Sequence, residues 1–323
     1  MLDRRWIARA GALGLLVACA APARADDYPN RPVTIVIPFT AGSITDTAAR
    51  IVAERLEKTL GQPFIIDNRP GAGGLLAART VARATPDGYT LLITTNSTHS
   101  AAPGLFKNVP YDPINDFTPV ARIGSFPSVM SVSPSLPVTS MKEFVAYAKA
   151  NPGKVSYAYG NSTGQITGEA MAKRLGLDMA RVAYRSNPEA LTALIGGQVS
   201  IMALDFSNAL PQLETKSVRP LAVLTKARSA TMPNVPTLDE TIMPDYDLLA
   251  WAGVFGPAAL PPEVTRKLAA ALDSSLNDPD VKARFGKFGI EIFYTGPAAF
   301  ADYVKTELVK WTALIKEAGI QPE

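Results

Sequence analysis

The residues best suited to chemistry lie in short polar turns between apolar runs. Phe39-Thr40-Ala41-Gly42-Ser43, with Asp46 just beyond, follows the β-branched run at 33–37 and precedes residues at helical spacing, Ala48, Ile51, Val52 and Leu56. A strand–turn–helix of this kind puts the turn at the carboxyl end of a strand, where ligands of open α/β sheets bind. The first turn of the helix offers unpaired N–H groups and a partial positive charge to an anion. Ser43 adds a hydroxyl, and Thr45 or Asp46 can cap the helix. Gly160-Asn161-Ser162-Thr163-Gly164 is a second turn of the same kind, after the run 155–159. Two such turns facing one cleft would hold a small carboxylate through backbone N–H groups and hydroxyls, with no arginine required.

Residues 160–164 also match G-x-S-x-G, the nucleophile elbow of serine hydrolases. A secreted hydrolase is therefore an alternative. It needs a histidine, and the chain has only His99, which precedes Ser162 instead of following it. Ser97, Thr98 and His99 belong to a polar segment after the run 89–94 and are candidate cleft residues. Arg185 ends a strand and either faces a carboxylate directly or forms an ion pair. Asp205 either orients a pocket group or caps the next helix. Phe39, Tyr159 and Phe206 supply an aromatic wall or core packing. Gly71-Ala72-Gly73-Gly74 lacks the third glycine of a dinucleotide fingerprint, since position 76 is leucine, and reads as a tight helix entrance. No metal ligand cluster and no cofactor motif is present in the sequence, so neither a catalytic role nor a cofactor is expected.

The elements that must position these turns form two α/β series. Runs at 33–37, 64–66 and 89–94 alternate with helical patterns, the β-α-β-α-β order of a doubly wound sheet. A second series has strands near 129–132, 155–159, 182–184, 199–203 and 221–225, with helices at 142–150, 165–175 and 189–195. A return strand at 251–255 and helices at 263–277 and 298–318 make a tail expected to pack back on the first lobe. The expected organisation is residues 26–125 plus 250–323 as lobe 1 and 126–249 as lobe 2. Two chain crossings, near 125 and 250, would form a hinge around a closable cleft.

Residues 1–25 read as a secretory signal peptide. Arg4, Arg5 and Arg9 precede an apolar run at 10–21, and Ala23-Arg24-Ala25 is an A-x-A cleavage pattern. The run is shorter than the about 20 residues of a membrane span. Leu16-Val17-Ala18-Cys19 also fits a lipoprotein box, and Arg4-Arg5 a weak twin-arginine signal. Without residues 1–25, which hold four arginines and one aspartate, 28 basic and 28 acidic side chains remain of the 32 and 29. The precursor's net charge of +3 thus falls to zero, and no basic field is left to hold nucleic acid. Cys19 is the sole cysteine, which excludes an intramolecular disulfide. Export without disulfides suits a bacterial periplasm.

Several further pieces occur in order along nearly the whole chain: Tyr28-Pro29 with Arg31-Pro32, Pro38-Phe39 with Gly42 and Asp46, Asn68-Arg69-Pro70-Gly71-Ala72-Gly73-Gly74, and Pro86-Asp87-Gly88-Tyr89-Thr90-Leu91. Gly168-Glu169, Ala190-Leu191 with Gly196-Gly197-Gln198-Val199, and Pro233 with Val235-Pro236-Thr237 follow. Together they resemble the solute-binding proteins of tripartite tricarboxylate transporters, the Bug family. The resemblance implies a type II periplasmic-binding (Venus-flytrap) fold and a carboxylate held between the two turns, partly through waters. It also implies small and large integral membrane subunits as partners, driven by an ion gradient. Phe39 to Ser43, Asp46, Ser97 to His99 and Asn161 to Gly164 are the pocket positions it carries over. A monomer is expected, and a sensor-kinase subunit with the same ligand is a further alternative. The chain departs from the family pattern at Ser43 and Ser186, where glycine is common, at Gln165, where histidine is frequent, and around Asp205, where the acidic position is displaced. These departures bear on the ligand, for which an aromatic or dicarboxylic acid is the expectation.

Overall fold

A computed structural model describes residues 28–323. The leader readings, Cys19 included, lie outside the described residues. In chain order the elements are β1 (Val33–Ile37), α1 (Ile44–Leu60), β2 (Phe64–Asn68), α2 (Leu75–Ala82), β3 (Thr90–Thr95), a π-helical turn (Ser97–Ala101), α3 (Ala102–Leu105), β4 (Phe117–Phe126), β5 (Ser128–Val132), α4 (Met141–Ala150), β6 (Val155–Tyr159), α5 (Ser162–Leu175), β7 (Met179–Ala183), α6 (Asn187–Ile195), β8 (Ile201–Asp205), α7 (Phe206–Glu214), β9 (Arg219–Val223), α8 (Leu238–Thr241), β10 (Ala250–Pro257), α9 (Pro262–Asn277), α10 (Pro279–Lys287), β11 (Glu291–Thr295) and α11 (Pro297–Ala318).

The strands form two mixed sheets, ordered β11-β4-β10-β3-β1-β2 and β7-β6-β8-β5-β9. Within them β2-β1-β3 and β7-β6-β8 are parallel, and the remaining pairs are antiparallel. The chain passes from the first sheet to the second between Phe126 and Ser128, and returns ahead of Ala250. Both faces of each sheet are covered, and side-chain alternation sorts the residues. Val33, Ile35 and Ile37 of β1 face the α1–α9 side, whereas Val36 faces α2 and α11. Ile201 and Ala203 of β8 lie with α4 and α5, and Met202 and Leu204 with α6 and α7. All the polar turns of interest leave the carboxyl ends of the parallel strands.

The tail departs from its expected path. β10 and β11 join the first sheet, and Phe300 and Val304 of α11 pack beneath it. About two turns further on, Trp311, Ile315 and Ala318 enter the core of the second sheet with Met171 and Ile166. The helix is 22 residues long, roughly 33 Å at 1.5 Å per residue, so it spans from one core to the other. Lys173 Nζ donates to Glu317 O at 2.7 Å, and Arg174 pairs with Glu317. Trp311 is fully buried, and its Nε1 donates to Glu307 Oε2 at 2.8 Å. Trp311→Ala removes that packing and leaves a buried carboxylate without its donor. It should cost ~3–5 kcal/mol, read as a lower urea midpoint.

Candidate functional site

Gly42 adopts φ +81, a left-handed conformation glycine takes without a Cβ penalty, and this turns the chain from β1 into α1. Ser43 is the N-cap, its Oγ accepting from Asp46 N–H at 3.2 Å. Asp46 does not face the cleft as a free carboxylate. It accepts from Gly42 N–H at 3.0 Å, Asn68 Nδ2 at 2.9 Å and Arg50 Nε at 3.0 Å. Burial acts to raise its pKa, but these hydrogen bonds outweigh it and hold the group below the ordinary range. Asp46 therefore braces the turn.

In the second lobe the helix begins earlier than its pattern predicts, at Ser162, with Asn161 as N-cap accepting from Gly164 N–H at 2.9 Å. Ser162, Thr163 and Gly164 therefore form its first turn, where N–H groups lack intrahelical partners. Gly160 is pressed against the start of α6. A Cβ there would lie 2.0 Å from Ser186 C and 2.2 Å from Asn187 N. Gly160 N–H donates to Asn187 Oδ1 at 3.1 Å, and Asn187 Nδ2 donates to Asp205 Oδ2 at 2.8 Å. Asn161 Nδ2 reaches Asp205 Oδ1 at 3.5 Å. Asp205 stands at the N-cap of α7 but makes no side-chain cap. Of its two expected roles, the orientation of pocket groups is the one seen. It is 3% exposed, and burial pushes its carboxyl up to about 6.

The lobes meet directly. Thr40 Oγ1 is hydrogen-bonded to Ser186 Oγ. Asn96 Nδ2 donates to Ser162 Oγ at 2.9 Å, and the Ser97 and Ser162 hydroxyls lie 2.9 Å apart. Two connected spaces result. An inner compartment of about 20 Å³ is lined by Phe39, Ser43, Thr45, Asn96, Asn161, Thr163, Ser186, Asn187 and Asp205, among others. An outer chamber of about 320 Å³ is lined by Phe39, Gly71, Phe106, Tyr159, Gln165, Tyr184, Arg185 and Glu323, among others. They share Phe39, Ser97, Gly160 and Asn161. The mouths of α1, α5 and α6 converge on the inner space, an arrangement able to hold an anion with neutral donors.

The structure brings together Phe39, Thr40, Ser43, Ser97, Asn161, Ser162, Thr163, Arg185 and Asp205 around these spaces. Ala41 and Gly42 are exposed on the turn, and Gly164 contributes its N–H to the Asn161 cap. Thr98 and His99 are corrections. The π-helical turn aims them into the core, where Thr98 Oγ1 meets Thr94 Oγ1 at 2.7 Å and His99 Nδ1 at 2.9 Å. His99 is stacked on Phe255 with centroids 4.0 Å apart and lies 4.5 Å from Phe117. Burial pushes its pKa down to about 3. The imidazole is thus neutral and sealed, and its Nε2 has no hydrogen-bond partner among the described residues, Ser162 included. Phe206 is fully buried in the α6–α7 core. Asn96, Asn187, Phe106 and Glu323 are not among the sequence-based candidates, and Ser186 is there only as a departure from the family pattern, although the strand–turn–helix order that exposed the turn at 160–164 recurs at 184–187. Among the described residues no cluster of three or more His, Cys, Asp or Glu could hold a metal.

This fold and cleft define a two-lobed solute-binding receptor of the periplasmic binding-protein class. The family model "Tripartite tricarboxylate transporter family receptor" matches residues 48–320, and the chain belongs to that family. BugT of Bordetella pertussis is 30% identical over 95% of this chain and 96% of its own. Among solved structures, R. palustris Rpa4515 with adipate has a TM-score of 0.89 and 34% identity, covering 92% of this chain and 100% of that one. MatC (Rpa3494) from Rhodopseudomonas palustris with bound malate has a TM-score of 0.85 and 34% identity, covering 89% and 100%.

Two variants test the geometry. Gly160→Ala should lower stability by about 1–3 kcal/mol, because the backbone of Ser186 and Asn187 cannot yield freely. Asp205 has its carboxyl raised from 3.8 to about 6 in the folded state. The folded protein therefore binds more protons than the unfolded chain between those values, and stability falls as pH rises from about 4 to 6. The contribution is up to ~3 kcal/mol. In Asp205→Asn this slope should be absent when urea unfolding is compared with wild type across pH 4 to 7.

Proposed function

We propose that the protein is an extracytoplasmic receptor that captures a small carboxylate in the interlobe cleft and presents it, with lobes closed, to the integral subunits of a tripartite transporter. The observation carrying this reading is the convergence of helix N-termini from opposite lobes on one polar compartment, in a chain of this receptor family. The adipate and malate bound to its structural relatives support a carboxylate as the ligand class. The protein acts as a binder and not as an enzyme, as a monomer, in the periplasm. No helix of the described residues is long and apolar enough to cross a membrane. Of the described residues, 28–125 with 250–323 move as one lobe and 126–249 as the other, except that the end of α11 joins the second core.

In this reading one carboxylate takes the inner compartment, held by Ser43, Thr45, Thr163 and Ser186. The body of the ligand lies in the outer chamber against Phe39, Phe106, Tyr159 and Tyr184, a mostly apolar site with few polar groups. Arg185, exposed and in no ion pair among the described residues, faces the far end. A diacid with a flat or extended apolar body fits this distribution.

A thermal-shift panel of mono-, di- and tricarboxylic and aromatic acids tests it. A ligand at a thousandfold excess over Kd stabilises by about 4 kcal/mol, a shift of several degrees, and the acid should be recovered unchanged. A panel without any shift sinks the carboxylate reading. Arg185→Gln should weaken diacids about tenfold or more and leave monocarboxylates little changed, measured by calorimetry.

A further inference from the structure

Asp205 is the only ionisable side chain among the described residues that line the inner compartment. No arginine, lysine or histidine shares that lining. Charged groups on the surrounding elements are engaged elsewhere. On α1, Asp46 is held by Gly42, Asn68 and Arg50. At the mouth of α6, Glu189 accepts from Arg185 N–H, and Arg185 itself lines the outer chamber. On α5, Glu169 accepts from Tyr157 of β6, and Arg174 pairs with Glu317. β5 offers only the Ser128 backbone and hydroxyl opposite Asp205.

Because Asp205 lines the inner compartment, a carboxylate drawn into it comes close to Asp205. Two carboxylates side by side in a buried space, with no cation between them, do not readily both ionise. We propose that the cleft takes up one proton together with its anionic ligand, and that Asp205 carries that proton in the loaded state. The step is a simple transfer from solvent to a carboxylate oxygen. The carboxyl is held by Asn187 at 2.8 Å, by Asn161 at 3.5 Å and by the Ser128 hydroxyl, neutral groups that leave its protonation open to the charge of a ligand. As a carboxylic acid, Asp205 then offers an O–H donor to the ligand where it had offered a repelling charge. Burial has already raised the carboxyl before any ligand arrives. This inference rests on the carboxylate reading above.

Calorimetry of the full mature protein in two buffers of different ionisation enthalpy counts the protons. The probe is the acid in the thermal-shift panel, adipate and malate included, with the largest shift. The expected result is uptake approaching one proton near pH 7 and a Kd that weakens by up to about tenfold per pH unit between pH 6 and 8. Asp205→Asn should bind with no proton uptake and a flat profile. Infrared difference spectra of wild type should gain a protonated carboxyl band on loading, a readout that does not depend on the variant folding. Binding without proton uptake overturns this inference and leaves the receptor reading intact. Uptake that persists in Asp205→Asn moves the proton elsewhere and overturns the assignment. A panel with no binding removes both.

Discussion

The second lobe's half of the cleft hangs on one buried carboxylate. Asp205 accepts the amides of Asn161 and Asn187. Those two asparagines use their remaining oxygens to hold Gly164 and Gly160 N–H. The mouths of α5 and α6 are thereby tied to the end of β8, and the close approach of Gly160 to Ser186 leaves no room for either mouth to drift. A buried, uncompensated carboxylate is costly. Its retention is intelligible because its two acceptor oxygens, set apart on one planar group, fix the orientation of both amides at once.

Asp46 performs the same bracing across the cleft under different conditions. Arg50 and Asn68 accompany it, so its carboxyl is held low while that of Asp205 is raised. Two buried acidic residues, one braced by a cation at the start of α1 and one by neutral amides at the end of β8, give the lobes different responses to charge. The hydroxyl contacts from Thr40 to Ser186 and from Ser97 to Ser162 then join the halves. α11 adds a second connection between lobes, since its two ends lie in different cores.

The parallel strands and their turns were legible because β-branched runs, glycines and helical spacing agree locally at 33–56 and 155–175. β4 was not. Pro119, Arg122 and Gly124 break its pattern, yet the first two fall where the β4–β10 register shifts, and Gly124 lets Glu291 O approach to 2.5 Å of where a Cβ would sit. α7 was hidden by Pro211 within it. His99 was misplaced for a subtler reason. A π-helical turn changes which side chains point together, so adjacency to Ser97 in sequence does not put the imidazole beside it. The structural role of Ser186 and Asn187 is not legible in the sequence because it comes from contact with Gly160, a relation between residues 26 and 27 positions apart that no local spacing records.

The choice of neutral donors has a consequence for how such a cleft works. A hydroxyl or N–H is a modest partner for a carboxylate in water and a strong one only where water is excluded. An arginine in the inner compartment would attract anions to an open cleft and hold them there. In the proposed reading the donors present gain strength as Thr40 meets Ser186 and Ser97 meets Ser162, because those contacts bring the lobes together beside the space. Affinity is then a property of the closed form. Opening the lobes admits water to every donor at once, so the same motion that exposes the ligand also removes most of what holds it.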